Sequence, residues 1–479
     1  MKNFIYLFLS GVLAFASCSK DDPAPVEVGE VKLNKTTLTL AVGEEQPLTA
    51  TVLPDNAENK TLTWSSSDTK IATVSDAGLV KAVAVGSATI TARAGGRSAT
   101  CTVTVEPIAV ESVTLDRTEL TLHRDDSKTL TATVLPDDAT DPKVVWTTSD
   151  KAIATVSDAG LVTPVAPGKA TITATAGAQS ATCTVTVEPD VYVVGKDYNP
   201  DINQTKSFLW KNGVPTPLPF KEASSVFVSE GDVYVTGHYK DENNVVIPAL
   251  WKNGEIIRLE IPGGVSRSDI TTNSVFVSGG DVYVGGSSLN YTTVLWKNGH
   301  PELLAKLGNA HCVFVSGQDV YVAGNRRNET GDYRAAYWKN GTAVDLTDGA
   351  AYARIFSIAV AKGTVYAAGT ENPAEGVVSR LWTDGVVTPL EEDGKAIYGI
   401  TVSEKGDVYL AGESDRKAML WKNGKRTMLP DGGTAFSVFV YGDDVYVSGY
   451  DRYLHACLWK NGVMEFLPDG HQGRSVFVY

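Results

Sequence analysis

The sequence is poor in cysteine and lacks the spacings of cysteine and histidine that hold zinc. Among its 479 residues there are five cysteines: Cys18, Cys101, Cys183, Cys312 and Cys457. The last four occupy separate repeat units in strand-like contexts, so none has a disulfide partner within its own unit. We therefore expect these four to be free thiols, buried as small apolar side chains.

Basic residues are also in the minority. The chain carries 42 Lys and Arg against 56 Asp and Glu, which gives a formal net charge of −14 at pH 7. Proteins that bind nucleic acid neutralise phosphates with clustered cations. The charge balance therefore argues against a nucleic-acid partner and predicts an acidic, soluble surface.

Signatures of catalysis and of calcium binding are missing from the repeats described below. Neither the Asp-box of sialidase-like propellers, Ser-x-Asp-x-Gly-x-x-Trp, nor a calcium loop of alternating Asp and Gly occurs there. Carboxylates are present, but no pair can be selected as the two acids of a glycosidase. His238, His311, His455 and His471 come from different loops. The sequence therefore predicts a protein that is not an enzyme and that uses no cofactor or metal.

Only the N-terminus carries a continuous apolar run. The segment "MKNFIYLFLSGVLAFASC" has Lys2, an apolar stretch over residues 4–16 and small residues before Cys18, and it is too short to span a membrane. It resembles the lipobox of bacterial lipoproteins, and the following "SKDD" resembles the tag of Bacteroidota lipoproteins that face the exterior. The resemblance implies lipidation at Cys18 and an anchor in the outer membrane.

Two tandem copies of one domain follow. Residues 31–105 and 113–187 repeat each other, with Trp64 aligned to Trp146 and the string "IATVSDAGLV" in both. Alternation such as "TVTV", interrupted by turns such as "LPDN" and "SDAG", predicts antiparallel β-sandwiches. The strings "LTATVLP", "WSSSD", "IATVS" and "CTVTV" resemble the bacterial Ig-like domain, group 2. That resemblance implies a spacer or adhesive module without catalytic residues.

The remaining residues repeat a four-part phrase: "SVFVSGG", "DVYVxG", "LWKNG" and "LPDG". The second part begins at Asp190, Asp232, Asp281, Asp319, Thr364, Asp407 and Asp444, and the third centres on Trp210, Trp251, Trp296, Trp338, Trp382, Trp421 and Trp459. A period of roughly 40 residues is typical of a propeller blade. The alternating parts, joined by "NG" hairpins, predict four antiparallel strands in each repeat. We interpret the seven tryptophans as core residues between neighbouring blades.

The fold class predicted from these patterns is all-β: two tandem Ig-like β-sandwiches followed by a seven-bladed β-propeller. The last strand, Ser475–Tyr479, is expected to close the ring by pairing with Asp190–Gly195. The expected division is a signal peptide (1–17), a lipidated N-terminus and linker (18–27), Ig-like domains (28–107 and 108–189) and the propeller (190–479).

The segments that vary between repeats lie between the second and third parts of the phrase and are predicted to share one face of the disc. Variation on one rim of a rigid scaffold is typical of a binding surface, although solvated loops also vary without a function. Aromatic rings suit sugars or protein partners, and arginines suit carboxylates. The candidate ligand-binding residues are Tyr198, Tyr239, Tyr291, Arg326, Arg327, Tyr333, Arg334, Tyr450, Arg452 and Tyr453.

These expectations combine into a lipid-anchored surface protein whose Ig-like stalk presents a propeller head that binds an extracellular glycan or glycoprotein. The ligand class follows by resemblance to surface glycan-binding lipoproteins of Bacteroidota, many of which pair Ig-like spacers with a terminal binding domain. Two alternatives stay open. One is an adhesin or scaffold that binds a protein, and the other is a polysaccharide-cleaving enzyme with an unrecognised carboxylate pair.

Overall fold

A computed structural model of the chain describes residues 25–199, 204–263, 265, 270–288, 292–327, 330–374, 376–391 and 396–479. The chain divides into two compact units between Val187 and Glu188. Within the described ranges both units consist of strands and turns, with no helix. Accordingly, these ranges offer no helix long and apolar enough to cross a membrane. The predicted signal peptide and Cys18 lie outside the described residues.

The first unit contains the two predicted copies, each with nine strands in the same order. The first copy comprises β1 (Glu30–Leu33), β2 (Thr37–Ala41), β3 (Glu45–Pro47), β4 (Ala50–Leu53), β5 (Thr63–Ser66), β6 (Ala72–Val74), β7 (Leu79–Ala82), β8 (Gly86–Ala94) and β9 (Arg97–Glu106). The second comprises β10 (Ser112–Leu115), β11 (Glu119–Leu122), β12 (Lys128–Thr129), β13 (Ala132–Leu135), β14 (Val145–Thr148), β15 (Ala154–Val156), β16 (Leu161–Pro164), β17 (Gly168–Ala176) and β18 (Gln179–Val187).

Each copy packs a four-stranded sheet against shorter ones, in the order β2-β9-β8-β5 with β3-β7-β6 in the first copy. The pairing is antiparallel except that β2 runs parallel to β9 and, in the second copy, β11 runs parallel to β18. Alternation along β9 buries Cys101, Val103 and Val105 and exposes the residues between them, as period-2 patterning requires. Cys101 and Cys183 are free and buried, as predicted, and burial raises the pKa of both thiols.

The second unit forms seven four-stranded antiparallel sheets from its described residues. In chain order the strands are β19 (Val191–Asn199), β20 (Gln204–Lys211) and β21 (Val214–Leu218) of sheet 1; β22 (Glu222–Ser229), β23 (Asp232–Lys240), β24 (Val246–Lys252) and β25 (Glu255–Arg258) of sheet 2; β26 (Ile270–Ser278), β27 (Asp281–Ser288), β28 (Thr293–Lys297) and β29 (His300–Ala305) of sheet 3; β30 (Gly308–Ser316), β31 (Asp319–Arg327), β32 (Tyr333–Lys339) and β33 (Thr342–Asp345) of sheet 4; β34 (Tyr352–Ala361), β35 (Thr364–Asn372), β36 (Val378–Thr383) and β37 (Val386–Thr388) of sheet 5; β38 (Ala396–Val402), β39 (Val408–Ser414), β40 (Lys417–Lys422) and β41 (Lys425–Met428) of sheet 6; β42 (Gly432–Tyr441), β43 (Asp444–Asp451), β44 (Ala456–Lys460) and β45 (Val463–Phe466) of sheet 7; and β46 (Gln472–Val478), which joins sheet 1.

The last strand completes the first sheet, as the sequence predicts. β46 pairs antiparallel with β19, and the amide of Asp190 donates to the carbonyl of Tyr479 at 3.0 Å. The innermost strand of each sheet contacts the innermost strand of the next, and β46 contacts both β22 and β42. Each sheet therefore contacts the next one in chain order, and sheet 7 contacts sheet 1.

The repeated tryptophans lie in the cores between consecutive sheets. Six of them are fully buried, and Trp251 is partly buried. Trp296 of sheet 3 packs against Leu250 and Leu259 of sheet 2, and its indole N–H donates to the carbonyl of Glu260 at 2.7 Å. In the same way, the indole N–H of Trp210 donates to the carbonyl of Pro468, which precedes β46. The interpretation of these residues as core is confirmed by their burial, and the satisfied indole N–H groups of Trp296 and Trp210 add to the stability at those two positions.

The start of each "DVYV"-like string and the end of each "WKNG"-like string meet at one rim of their sheet. In sheet 2, Asp232 accepts from the side-chain amide of Asn253 at 2.6 Å and pairs with Lys252 at 2.7 Å. The Lys252 ammonium also lies over the ring of Tyr234. Asn253 adopts a φ of 48°, which the hairpin requires. The "DVYV" and "WKNG" strings are thus conserved between repeats because they build a structural network.

Candidate functional site

Each innermost strand of the second unit carries a β-bulge at the same place. The register against the neighbouring strand slips by one residue, for example between Ile355 and Ser357 in sheet 5. At this place one residue in each sheet is left unopposed: Ser224, Asn273, His311, Phe356, Tyr398, Phe436 and Arg474. β42 of sheet 7 has a second shift, which leaves Gly433 unopposed as well. A bulge redirects the side chain of its extra residue, so the seven sheets present seven redirected side chains.

A glycine opposite each bulge makes room for it. A Cβ atom on Gly324 would lie 1.7 Å from the carbonyl oxygen of Asn309, two residues before the bulge residue His311. The equivalent distances are at most 2.5 Å at the other glycines of the set: Gly195, Gly237, Gly286, Gly369, Gly412 and Gly449. This is the glycine of every "DVYVxG" string, and close backbone approach is the physical reason for it.

The seven bulge residues converge on one cavity of about 360 Å³, which we call the bulge cavity. Its other lining residues are Glu222, His238, Thr271 and Thr272. The sheets thus share a common frame but contribute an arginine, a serine, an asparagine, a histidine, two phenylalanines and a tyrosine to this cavity. Variation at one position of an otherwise repeated strand is what a binding site built on a repeat requires.

Aromatic rings form one side of the bulge cavity. His311 lies 5.4 Å from Phe356 between ring centroids, Phe356 lies 5.2 Å from Tyr398, and Tyr398 lies 5.4 Å from Phe436. Tyr450 continues the series at 5.6 Å from Phe436. All the pairs are tilted, the arrangement in which aromatic rings attract each other. The side is therefore a rigid apolar wall.

Charged and polar groups form the other side. Glu222 pairs with Lys196 at 2.8 Å and with Arg474 at 3.2 Å. Burial raises the pKa of Glu222, but the hydrogen bond from Lys196 and the two cations outweigh it and leave the pKa below its usual value. His238 Nδ1 and Thr272 Oγ1 are buried and without a hydrogen-bond partner among the described residues. Such groups favour a ligand that supplies the missing partners.

The two imidazoles of the cavity are uncharged at neutral pH. Burial, and then the positive charge of Arg354, lower the pKa of His311 to about 4. Burial also lowers the pKa of His238, and the nearby Glu222 offsets part of that effect. A neutral imidazole can donate from one nitrogen and accept at the other.

His311 makes the stability of the second unit depend on pH. The unfolded chain protonates this imidazole near pH 6.5 and the folded chain only near pH 4. The neutral imidazole of His311 makes its full contribution to the free energy of unfolding above pH 6.5. That contribution is lost as the pH falls towards 4, because the unfolded chain takes up the proton first. Urea unfolding of the full chain should show about 2 kcal/mol less stability at pH 5 than at pH 7 from this group. His311→Phe should reduce that difference by the same amount, and an unchanged difference would contradict the assignment.

The sequence-predicted site residues are distributed over several places. Arg326 forms a two-bond ion pair with Asp345 at 2.6 and 2.8 Å, and Arg334 pairs with the same carboxylate at 3.1 Å. Tyr239 is partly buried beneath Arg258. Arg326 and Arg334 thus already serve a cross-strand network.

Other predicted residues lie nearer the cavity or at the outer rim. Tyr450 joins the aromatic wall, and its hydroxyl lies within hydrogen-bond distance of Thr434 Oγ1, at 2.9 Å. Arg452 pairs with Asp431 and lies over Tyr453, which is 67% exposed. Tyr198 belongs to β19, but its side chain is outside the described residues, as is the whole of Tyr291.

Two further predicted residues stack outside the cavity. The guanidinium of Arg327 lies 5.1 Å from the ring centroid of Tyr333, and Tyr333 lies 5.3 Å from Tyr352. Sequence reasoning missed Tyr352 and six of the seven bulge residues; it named His311 but assigned it to a loop, whereas His311 lies in β30. The sequence contained a signal for the bulge residues. The residue before each "SVFV"-like string differs between most repeats, whereas the string itself barely changes.

A family model for the bacterial Ig-like domain (group 2) matches residues 27–105 and 109–187, which confirms the two predicted Ig-like domains. The Ig-like virion protein of Serratia phage KSP90 is 36% identical over 174 residues, which cover 35% of this chain and 67% of that protein. Ice-binding protein 1 of Shewanella frigidimarina is 30% identical over 229 residues, 46% of this chain and 23% of that protein.

The chain spans only 18% and 23% of the lengths of the first curated relatives it matches. Among solved structures, the β-propeller domain of the Trilobed protease from Pyrococcus furiosus aligns with 61% of this chain and 96% of its own, at 14% identity and a TM-score of 0.33.

Proposed function

The chain belongs to the bacterial Ig-like domain (group 2) family through residues 27–105 and 109–187, and from this premise we propose that it is a cell-surface binding protein. The Ig-like domains act as a spacer. The second unit is a seven-bladed β-propeller that binds an extracellular glycan or glycoprotein in the bulge cavity. Cys18 carries the lipid that anchors the protein in the outer membrane, facing the exterior.

The two-sided chemistry of the bulge cavity carries this proposal. A sugar ring has an apolar C–H face, which stacks on aromatic rings, and a rim of hydroxyls, which both donate and accept. The cavity sets Glu222, Thr272 and the neutral imidazole of His238 opposite an aromatic wall that includes the neutral imidazole of His311. Its volume of about 360 Å³ falls within the range of small-ligand sites, about 300–1,000 Å³.

The same features weigh against the two alternatives. A protein partner needs about 800 Å² of surface on each side, whereas the distinctive residues here converge in a small concavity. A glycosidase needs a general acid whose pKa is raised. The pKa of Glu222 is lowered instead, and both of its cationic partners hold it ionised.

Screening the purified full chain against an array of host and plant glycans tests the proposal. Binding is expected, and Phe436→Ala should weaken it about tenfold, because a stacked ring contributes roughly 1 kcal/mol or more. Tyr441→Ala, at the other end of the same strand, is the matched control and should bind normally.

Tyr453→Ala distinguishes the cavity from the outer loops, since loss of binding in this variant would move the site to the rim. The absence of any glycan hit would reject the ligand class and favour a protein partner. Formation of cleaved product would instead identify an enzyme.

A further inference from the structure

A row of side chains on β34 extends outward from the bulge cavity. Tyr352, Arg354 and Phe356 alternate along β34 and therefore lie on one face of it. The guanidinium of Arg354 lies 4.5 Å from the ring centroid of Phe356 and 5.9 Å from that of Tyr352. Planar groups are thus stacked from the cavity outward along the strand.

The row continues at both ends. Outward, Tyr352 contacts Tyr333, which stacks with Arg327. Inward, Phe356 leads through the aromatic wall to Phe436, over which Arg474 lies at 5.4 Å. We call this row the arginine–aromatic track: Arg327, Tyr333, Tyr352, Arg354, Phe356, Tyr398, Phe436 and Arg474. Three guanidinium groups are spaced along a continuous series of rings.

Among the described residues, positive charge along the track exceeds negative charge. Arg354 makes no ion pair with any described residue, and its Nε is buried without a hydrogen-bond partner. Arg474 shares Glu222 with Lys196, and its Nε is likewise unpartnered. Glu413 adds one carboxylate, which accepts from Thr434. A buried Nε atom without a hydrogen-bond partner favours an anion that accepts from it, in a chain whose net charge is −14.

We propose that the arginine–aromatic track binds a polysaccharide chain bearing carboxylate groups, such as a uronic acid polymer. The inference rests on the proposed glycan-binding function and specifies its ligand class. The end of the polymer occupies the bulge cavity, and the following residues extend along β34 to Tyr333. The rings contact sugar faces, and Arg354 and Arg474 bind carboxylates through planar, charge-assisted hydrogen bonds.

A single-stranded nucleic acid also suits rings alternating with arginines. Both polymers carry one negative charge per unit, so the oligonucleotide titration described below is the measurement that separates them.

Calorimetric titration of the full chain with galacturonic acid oligomers of one to six residues, and with the same oligomers after carboxyl reduction, tests this inference. The acidic oligomers should bind at least tenfold more tightly than the neutral ones, and the affinity should rise with chain length. Arg354→Gln should reduce the preference for acidic oligomers several-fold, and Arg474 should account for the preference that is left. Arg258→Gln, which removes a guanidinium lying over Tyr239 outside the track, is the matched control.

A second variant tests the path of the chain. Tyr352→Ala, at a position 40% exposed, should weaken binding of the hexamer several-fold and leave the monosaccharide unaffected. Equal binding of acidic and neutral oligomers would overturn this inference but leave the proposed function standing. Failure of both to bind, with no other glycan captured, would reject both. Tighter binding of a single-stranded oligonucleotide at physiological salt would replace the polysaccharide with a nucleic acid.

Discussion

A chain shortened by its last five residues is expected to lose the cooperative unfolding transition of its second unit. β46 supplies the fourth strand of sheet 1, and without it β19 becomes an unpaired edge along most of its length. Val476 and Val478 are 4% and 3% exposed. Phe477 lies 4.5 Å from Phe227 and 4.8 Å from Phe439, so its loss also opens the packing towards sheets 2 and 7.

The cost is comparable with the whole stability of a domain, about 5–15 kcal/mol, because the backbone pairing and three apolar side chains are removed together. Circular dichroism during urea unfolding of the full chain and of the shortened chain measures it. The first unit should still unfold cooperatively in both.

Point variants provide a matched comparison for the truncation. Val476→Asp in β46 should destabilise the second unit by several kcal/mol, because a carboxylate is buried without a partner. Val463→Asp in the neighbouring β45, at a position 68% exposed, should change stability by less than about 0.5 kcal/mol. If the shortened chain unfolds at the same urea concentration as the full chain, the last strand is not structural.

Repetition made most of the fold predictable. Seven Trp-Lys or Trp-Thr pairs, each followed by a turn dipeptide, define the hairpins, and the structure confirms positive φ at Asn461 and at Asp384, which replaces Asn in sheet 5. The "SVFVY" string at the terminus predicts the pairing of β46 with β19, because the first repeat begins without such a string. Patterns of this kind are local, and local patterns are what a single sequence records best.

The bulges were not predictable in the same way, because they depend on register between strands. Nothing near Phe356 identifies it as unopposed; only the closeness of Gly369 to the carbonyl of Arg354 does. The repeated glycine was a usable signal, since a glycine inside a strand marks a bulge or a close backbone approach. Pairing such as that of Arg326 and Arg334 with Asp345 also depends on cross-strand neighbours that sequence spacing does not specify.

Two adjacent glycines in β27 offer the sharpest test of the bulge. A Cβ at Gly286 would lie 2.2 Å from the carbonyl oxygen of Thr271 and 2.8 Å from the ring of Trp296, whereas a Cβ at Gly285 would meet its nearest atom at 3.7 Å. Both residues lie within an extended strand, so the same substitution isolates the close approach.

Gly286→Ala should destabilise the second unit by about 3 kcal/mol or more, because either the bulge or the buried indole must move. The same shift displaces Asn273, the bulge residue of sheet 3, so ligand affinity should fall as well. Gly285→Ala should be neutral or slightly stabilising, since it reduces the freedom of the unfolded chain at no steric cost. Thermal unfolding and glycan binding of both variants measure the contrast. Equal effects of the two substitutions would contradict this explanation, because they would mean that the bulge and the cavity do not depend on the close backbone approach at Gly286.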